Sequence, residues 1–319
     1  MKTERQLTEL SGKSYNLKGI FIIAFLSLIY LFYSYKFFGF KSDHLFLVAI
    51  VNVAFILNGA TRRFILAFSI FIVYWVLYDS MKLYPNYNFV KVDIQGLYEL
   101  EKTLFGFSIG GVRVTPNEYY QNNHNALSDA ITAFFYLTWI PAPLLFAFYL
   151  FKKFPAQFLR FSLAFFVTNI VGFIIYYVHP AAPPWYVELH GFEFHEGTKS
   201  FAAGLLRFDE MAGFQLFENM YTKGSNVFAA MPSLHSAYPV IALYYSYKLR
   251  QKYLTWIFLI FTLGIWFSAI YLNHHYILDV IAGLLCAIFS ILVFEKIILK
   301  NQGIVKWMSK YERVISKKD

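Results

Sequence analysis

The chain has 319 residues, of which 58% are hydrophobic and 21% aromatic, whereas only 15% are charged. A soluble domain is about 25% charged, so this composition argues against an ordinary soluble enzyme. The formal net charge of +9 is scattered over many short segments, which is not the clustered pattern of a nucleic-acid-binding surface. The single cysteine, Cys286, lies in an apolar run and predicts a buried side chain rather than a reactive thiol.

Eight apolar runs approach the length of about 20 residues that a membrane-spanning helix needs. They lie at residues 19–40, 44–60, 63–79, 127–151, 157–179, 228–249, 253–272 and 275–299. Backbone groups in lipid must be satisfied internally, so runs of this length are helices and not barrel strands. The first run is too long for a signal peptide and has no cleavage site after it, so it is interpreted as a retained span. We therefore predict an all-α, polytopic membrane helical bundle with about eight transmembrane helices.

The distribution of lysine and arginine predicts the topology of these spans. An even number of spans places both termini on one side, and most of the 28 lysines and arginines then fall on that side. The positive-inside rule makes the termini cytoplasmic and places the long loops, roughly 80–126 and 180–227, outside. All eight histidines then lie at or near the outer face. Because histidine exchanges protons near neutral pH, we expect the chemistry on this periplasmic or lumenal face.

The sixth apolar run begins with Met231-Pro232-Ser233-Leu234-His235. Proline suits a first helical turn because its missing amide would be unpaired there, and Ser233 is a good helix cap. The free amides and the dipole of a helix N-terminus favour a phosphate anion, and His235 lies within reach of them. A capped span with an interfacial histidine is the alternative interpretation.

The eighth run begins with the segment Asn273 to Asp279, NHHYILD. His275 and Asp279 are four residues apart and share one helix face. The carboxylate can accept the ring N–H of His275, which leaves the other nitrogen free as a nucleophile or base. An aspartate inside a span costs about 2.5–3.5 kcal/mol, so it should have a partner. A polar pair that joins helices and a zinc site are the alternatives.

The predicted topology brings these two segments to one face of the membrane. His235 begins the sixth span from outside, the seventh span returns to that side, and His275 begins the eighth span there. We predict that the two imidazoles and Asp279 converge around a single phosphorus atom.

Together the segments Pro232 to His235 and His275 to Asp279 resemble the signature of the type-2 phosphatidic acid phosphatase superfamily. That signature has a basic stretch ending in Arg-Pro, then Pro-Ser-Gly-His, then Ser-Arg followed by His-x3-Asp. Ser268 stands at the position of the signature serine. However, Ala269 replaces the arginine after it, and His179-Pro180 replaces Arg-Pro. Two cations that hold phosphate in the phosphatases are therefore missing.

These departures resemble the inositol phosphorylceramide synthase branch of the superfamily. That branch is similar in Pro-Ser-Leu-His, in His-His-Tyr-x-x-Asp and in an Ala-Pro-Pro-Trp-Tyr segment, here Ala182 to Tyr186. Residues Leu100 to Gly106 also resemble a segment that precedes the core in that branch, and the similarity covers roughly residues 95–295. A stiff interfacial loop with an aromatic anchor is the structural alternative for Ala182 to Tyr186.

The resemblance implies a six-helix catalytic core and a two-step transfer between membrane lipids, with phosphatidylinositol as donor and ceramide as acceptor. His275 would attack the phosphorus and form a phosphohistidine, with Asp279 orienting its ring. His235 would protonate the departing lipid alcohol and then deprotonate the acceptor hydroxyl. Nothing in the sequence requires a metal or another cofactor. Further candidates for holding the substrate or its phosphate are Ser233, His274, Asn273, Lys223 and His179.

Two other functions stay open at this point. With water as acceptor, the same site would make a lipid phosphatase acting on phosphatidic acid or a polyprenyl diphosphate. Ala269 argues against it, because a monoester phosphatase must hold a dianion whereas a diester donor carries one charge. A transporter with a polar intramembrane site belongs to a different class, but the sequence shows neither broken spans nor an inverted repeat.

The remaining features concern domain organisation and the loops. We predict an N-terminal pair of transmembrane helices at residues 1–62, a catalytic core at 63–299 and a basic cytoplasmic tail at 300–319. Residues 91–105 form either an amphipathic interfacial helix or a packed loop helix. The outer cations that could replace the missing arginines are Lys199, Arg207, Lys223 and Arg113, with Lys223 nearest to the sixth run.

Overall fold

The computed structural model describes residues 17–39, 42–222, 224 and 226–316, and most of these residues are helical. The α-helices are α1 (Leu17–Phe38), α2 (Ser42–Leu57), α3 (Gly59–Ser80), α4 (Gln95–Phe105), α5 (Pro116–Asn122), α6 (Ala126–Leu137), α7 (Pro141–Lys153), α8 (Pro155–Val178), α9 (Pro184–His190), α10 (Leu206–Ala212), α11 (Leu216–Tyr221), α12 (Leu234–Lys248), α13 (Lys252–Tyr271), α14 (Ile277–Lys296) and α15 (Gln302–Ser316). One compact unit covers Ile70–Arg313, and the described residues on either side of it belong to a second unit. The domain boundaries given above stay predictions.

Five helical segments among the described residues are long and apolar enough to cross a membrane. They are Leu17–Phe38, Gly59–Leu83, Pro155–Val178, Lys252–Tyr271 and Ile277–Lys300. The pair α6 and α7 is a sixth candidate, bent by 42°. Helices α2 and α12 have 16 and 15 residues and are shorter than a full span. The polytopic membrane bundle is confirmed, but the eight predicted spans become five continuous helices, one bent pair and two short helices.

The fourth apolar run, 127–151, is not the continuous helix that the sequence predicted. Helix α6 ends at Leu137, and α7 begins with Pro141 as its first residue. Proline has no amide hydrogen and its ring collides with the preceding turn, so inside a helix it causes a kink or a break. The expectation of unbroken spans was therefore wrong here. The break between the two helices places Tyr136 and Trp139 beside the site described below.

A small β-hairpin is the one departure from an all-α fold among the described residues. Its strands, β1 (Phe107–Ile109) and β2 (Val112–Val114), pair antiparallel. Gly110 and Gly111 connect them with φ angles of 57° and 83°, which suits a tight hairpin turn with two left-handed residues.

The first turns of α12 and α14 lie directly against each other. The amide of Ser233 donates to the carbonyl of Asp279 over 2.9 Å. One turn deeper, Gly283 permits this approach, because a Cβ at that position would overlap the Ser233 carbonyl oxygen. The sixth run becomes helical only at Leu234. Before it, two residues of the run form backbone hydrogen bonds with Ala181. This packing fixes the relative position of the two histidine segments.

Candidate active site

The two predicted imidazoles meet at the ends of α12 and α14. Nδ1 of His235 lies 2.9 Å from Nε2 of His275, within hydrogen-bonding distance. His235 lies in the first turn of α12, whereas His275 lies two residues before α14 and not within the helix, contrary to the prediction. The two histidines are 40 residues apart in sequence. Because a neutral imidazole has one donor and one acceptor nitrogen, the pair can share one proton between these two atoms.

Asp279 lies on the other edge of the His275 ring. Its Oδ2 is 3.5 Å from Nδ1 of His275 and accepts a hydrogen bond from the Tyr276 amide at 2.9 Å. The carboxylate thus caps the helix that carries it while facing the histidine. No described residue forms a well-oriented hydrogen bond with His275 Nδ1, so Asp279 faces this nitrogen without a hydrogen bond to it. Nε2 of His275 is left facing His235.

Burial keeps the histidines of this segment neutral. It lowers the pKa of His275 to about 4, although the Ala230 backbone raises this pKa to a smaller extent. It also lowers the pKa of His274 well below the ordinary value, and the neighbouring imidazoles act in the same direction. A neutral His275 keeps a lone pair, which is what a nucleophile or base requires.

His274 is held in place by its neighbours. Its Nε2 lies 3.1 Å from the carbonyl oxygen of Ala202, to which it can donate. The ring is stacked between those of Tyr136 and Tyr221, with centroid distances of 4.9 and 4.8 Å. His274 lines the cavity beside the histidine pair, but these contacts use one nitrogen and both ring faces. Its geometry fits a support for the backbone of the segment better than a phosphate ligand.

Asn273 and Ser233, predicted to hold the substrate or its phosphate, form contacts within the protein. The side-chain NH₂ of Asn273 donates a hydrogen bond to the Glu188 carboxylate, and the backbone carbonyl of Asn273 accepts one from the Trp185 amide. Ser233 is the N-cap of α12 and accepts from the Ser236 amide at 3.3 Å, which confirms the predicted cap. Neither residue lines the cavity that contains the two histidines. Both instead fix the segments that carry His235 and His275.

His179 is also away from this cavity. It follows the last residue of α8, and its Nε2 lies 3.6 Å from Oδ2 of Asp93. The side chain is 44% exposed. His179 is therefore not part of the wall of this cavity, and its contact with phosphate stays a prediction. Lys223 lies outside the described residues.

Two of the outer cations have other partners. Arg113 donates to the carbonyls of Lys102 and Thr103 at the end of α4. Arg207 donates to Asp129 over 2.8 Å. These arginines hold loops and helix ends together and do not line the cavity beside the histidines.

Lys199 is exposed, and like the two arginines it is not part of that cavity's wall. Ala269, where the signature has arginine, is fully buried, and its carbonyl accepts from the amides of His274 and His275. The backbone at this position therefore supports the histidine segment.

A cavity of about 220 Å³ opens beside the two imidazoles. Its walls are mainly aromatic and include Tyr136, Trp139, Tyr176, Trp185, Tyr221 and Tyr238. Among its described lining residues there is no lysine or arginine. Pro183 and Trp185, from the segment Ala182 to Tyr186, line this wall. Trp185 is 4% exposed, which favours a packed residue over an exposed interfacial anchor.

The sequence did not identify the aromatic residues of the cavity wall as site residues, among them the two that contact His235. The hydroxyl of Tyr136 is 3.3 Å from Nδ1 of His235. The ring of Trp139 meets that of His235 edge-on at 4.3 Å. Both lie at the break between α6 and α7, and Pro141 was the signal that could have located it. Within the described ranges, no three His, Cys, Asp or Glu side chains are grouped so as to hold a metal ion.

Comparisons with known proteins agree with this geometry. The sequence pattern of the PAP2 superfamily matches residues 114–293. Phosphoinositol dihydroceramide synthase of Bacteroides thetaiotaomicron is 43% identical over 279 residues, which cover 87% of this chain and 92% of that protein. Inositol phosphorylceramide synthase of Candida albicans is 32% identical over 187 residues, or 56% of this chain and 39% of that protein.

The catalytic subunit of inositol phosphorylceramide synthase of Saccharomyces cerevisiae is 33% identical over 132 residues, or 40% of this chain and 31% of that protein. No solved structure matches the chain. The superfamily pattern covers more than half of the chain, and the bacterial relative is matched along nearly its whole length. The resemblance seen in the histidine segments is thereby confirmed, and the chain belongs to the PAP2 superfamily.

Proposed function

We propose that this membrane enzyme transfers a phosphoinositol group from phosphatidylinositol to the hydroxyl of ceramide or dihydroceramide. The observation that carries the proposal is the contact between His235 Nδ1 and His275 Nε2 at 2.9 Å in an aromatic cavity. The phosphoinositol group and the ceramide or dihydroceramide acceptor follow the names of the relatives. Phosphatidylinositol as the donor follows from the family resemblance of the sequence. Donor and acceptor are both lipids, in keeping with a site built among apolar helices.

The first step forms a phosphohistidine. The Nε2 lone pair of His275 attacks the phosphorus, and the bond from phosphorus to the diacylglycerol oxygen breaks. His235 enters this step as an imidazolium, with protons on both ring nitrogens, and gives its Nδ1 proton to that oxygen, so diacylglycerol leaves as a neutral alcohol and His235 becomes neutral. His275 enters as the neutral imidazole, with the lone pair on Nε2 facing His235. The phosphoryl group replaces the hydrogen bond between the two rings.

The second step reverses these roles. His235 takes the proton of the ceramide hydroxyl, whose oxygen attacks the phosphorus while the bond to His275 breaks. The product is a phosphoinositol sphingolipid, and both histidines return to their starting protonation states. Asp279 stabilises the positive charge that develops on the His275 ring while it carries the phosphoryl group.

The charge of the cavity supports a phosphodiester donor. A phosphodiester carries one negative charge, whereas a phosphomonoester carries up to two near neutral pH. Tyrosine hydroxyl groups of the wall and the N-terminal end of α12, whose residues Leu234 and His235 line the cavity, are available to the single charge. Because the described cavity wall contains no lysine or arginine, a dianionic monoester would be poorly neutralised there.

The proposal is tested with the purified protein in detergent and phosphatidylinositol labelled in its head group. Addition of ceramide or dihydroceramide should yield a labelled phosphosphingolipid and an equal amount of diacylglycerol. Release of inositol phosphate alone would show water as acceptor, and inorganic phosphate from phosphatidic acid would show a phosphatase; either result refutes the proposal. His275→Ala should be inactive, whereas His195→Ala, a matched change on an exposed loop, should keep its activity.

We also propose that the termini are cytoplasmic and that the site opens on the outer face. The excess of lysine and arginine on the terminal side supports this orientation. A Cys286→Ala protein with a new cysteine at the exposed Lys199 position should react with a membrane-impermeant maleimide in intact cells. A cysteine that reacts only after the cells are opened would contradict the orientation.

A further inference from the structure

Glu101 is a fully buried carboxylate at the start of the helix that carries Asp279. It lies on α4 and accepts two backbone hydrogen bonds from α14. The Ile277 amide donates to Oε1 over 3.0 Å, and the Leu278 amide donates to Oε2 over 3.1 Å. Both oxygens are therefore engaged with a helix that lies 176 residues further along the chain.

These contacts satisfy a specific need of α14. The first amides of a helix have no partner within the helix, and the helix dipole favours a negative charge at this end. Asp279 accepts only the Tyr276 amide, so the next two amides depend on Glu101. A glutamine would offer one acceptor oxygen, and its NH₂ group would face an amide N–H.

The remainder of α4 fixes Glu101 against this helix end. Leu97 lies one turn before Glu101 on the same face and is buried in a cluster with Ala181 and Tyr276. Tyr276 directly follows His275 in the chain. The contacts of α4 therefore act on the residues that flank the proposed nucleophile.

We propose that Glu101 is a positioning residue that holds the first turn of α14, and with it His275 and Asp279, in the geometry needed for transfer. This inference rests on the proposed function, because it assigns the purpose of the geometry to that reaction. Glu101 does not line the cavity. It acts through the backbone of the helix, so its loss should lower turnover more than substrate binding.

Protonation of Glu101 gives this role a distinct signature. Burial raises the pKa of Glu101 to about 7; the nearby Asp279 acts in the same direction, and the two amide hydrogen bonds oppose it. Tyr276 also faces Glu101 from the α14 side. Protonation converts one oxygen into a donor, so one amide of α14 loses its acceptor. Turnover should therefore fall as the pH drops through about 7.

The charges on α4 itself are engaged elsewhere. Lys102 donates to the hydroxyl of Tyr98, which in turn donates to Glu118 on α5. These groups form a separate chain of contacts beside Glu101.

The same pKa shift distinguishes this effect from loss of the fold. The pKa of Glu101 is about 7 in the folded protein and 4.5 as the ordinary value, so the folded state binds the proton more tightly than the unfolded chain. The contribution of Glu101 to stability therefore decreases as pH rises from about 4.5 to 7. A loss of turnover on acidification through this range cannot come from unfolding driven by Glu101.

The test compares Glu101→Gln with Glu99→Gln, which removes the same charge from an exposed position of the same helix. At pH 8, Glu101→Gln should lower kcat about ten-fold or more with KM for phosphatidylinositol within about two-fold. It should also lose the change in turnover near pH 7. Glu99→Gln should match the wild type in kcat and in pH profile. Glu101→Asp keeps the charge but is shorter by one methylene, so it should have intermediate turnover and keep the change near pH 7.

Hydrogen–deuterium exchange without substrate provides a second measurement. The amides of Ile277 and Leu278 should exchange faster in Glu101→Gln than in the wild type or Glu99→Gln. If Glu101→Gln has the same kcat, pH profile and exchange rates as the wild type, the proposal is overturned. If Glu101→Gln does not fold, Glu101→Asp decides by the same measurements. Failure of the wild type to make a phosphosphingolipid would overturn the proposed function alone, since exchange still reports whether Glu101 restrains α14.

Discussion

Replacement of Asp279 by asparagine tests the chemistry of the site with little change in volume. Asp279 Oδ2 accepts the Tyr276 amide at 2.9 Å, and the carbonyl oxygen of asparagine can keep this hydrogen bond. What is lost is the negative charge 3.5 Å from His275 Nδ1. The variant should therefore fold, while the positive charge that forms on His275 during transfer loses its partner.

The expected size of the effect follows from this distance. Two unit charges 3.5 Å apart attract by about 5 kcal/mol at an effective dielectric constant of about 20. Asparagine still presents a dipole there, so about 3–4 kcal/mol of this should be lost from the transition state, or about 10²–10³-fold in rate. The value is smaller than the roughly 10⁴-fold loss when a serine protease loses its aspartate charge, because 3.5 Å exceeds a good hydrogen bond.

The assay is transfer from labelled phosphatidylinositol at saturating ceramide. We expect kcat to fall and KM to stay nearly unchanged, since Asp279 does not line the cavity. Cys286→Ala is the matched control: this buried cysteine lies further along the same helix and should leave turnover unchanged. An Asp279→Asn enzyme within about three-fold of the wild type would refute the reasoning, because a charge at this distance could not then assist the reaction.

The remaining predictions concern the histidine pair and its support. His235→Ala removes the proton carrier, so transfer in the same assay should fall about 10²–10⁴-fold. A loss of less than about 10²-fold would contradict this role. Gly283→Ala places a methyl group against the carbonyl oxygen of Ser233, the N-cap of α12. Thermal unfolding should show that the free energy of unfolding falls by about 1–3 kcal/mol, and turnover should fall as well. A fully active and equally stable variant would show that the two helices need not be so close. In Glu101→Gln, half-maximal turnover should lie near pH 4, where His275 becomes protonated and loses its lone pair; a midpoint still near 7 would disagree.

The convergence of His235 and His275 was accessible from the sequence because it depends on few quantities. Hydropathy gives the spans, and the number of spans between two segments decides whether they share a membrane face. Ser233 as a cap and Cys286 as a buried side chain also followed from local sequence, and the structure agrees with both. These properties are set by residues within one or two helical turns.

The predicted phosphate-binding residues show the limit of such reasoning. Asn273 and His274 are adjacent to His275 in the chain, yet one contacts Glu188 and the other is stacked between two tyrosines. Neighbouring positions at a helix start point in different directions, and sequence proximity does not say which side chain faces the cavity. His179 matched a signature position, but its side chain is beside Asp93.

The sequence by itself determined the membrane bundle and the pairing of two histidines with one aspartate, because hydrophobic length and short spacings are local properties of the chain. The resemblance of its two histidine segments to known motifs indicated the superfamily. Only the tertiary structure decided what surrounds them. The break before Pro141 brings Tyr136 to His235, and Glu101 reaches the amides of α14 from far along the chain. Such contacts join residues that no periodicity or spacing connects, since they depend on how whole helices pack.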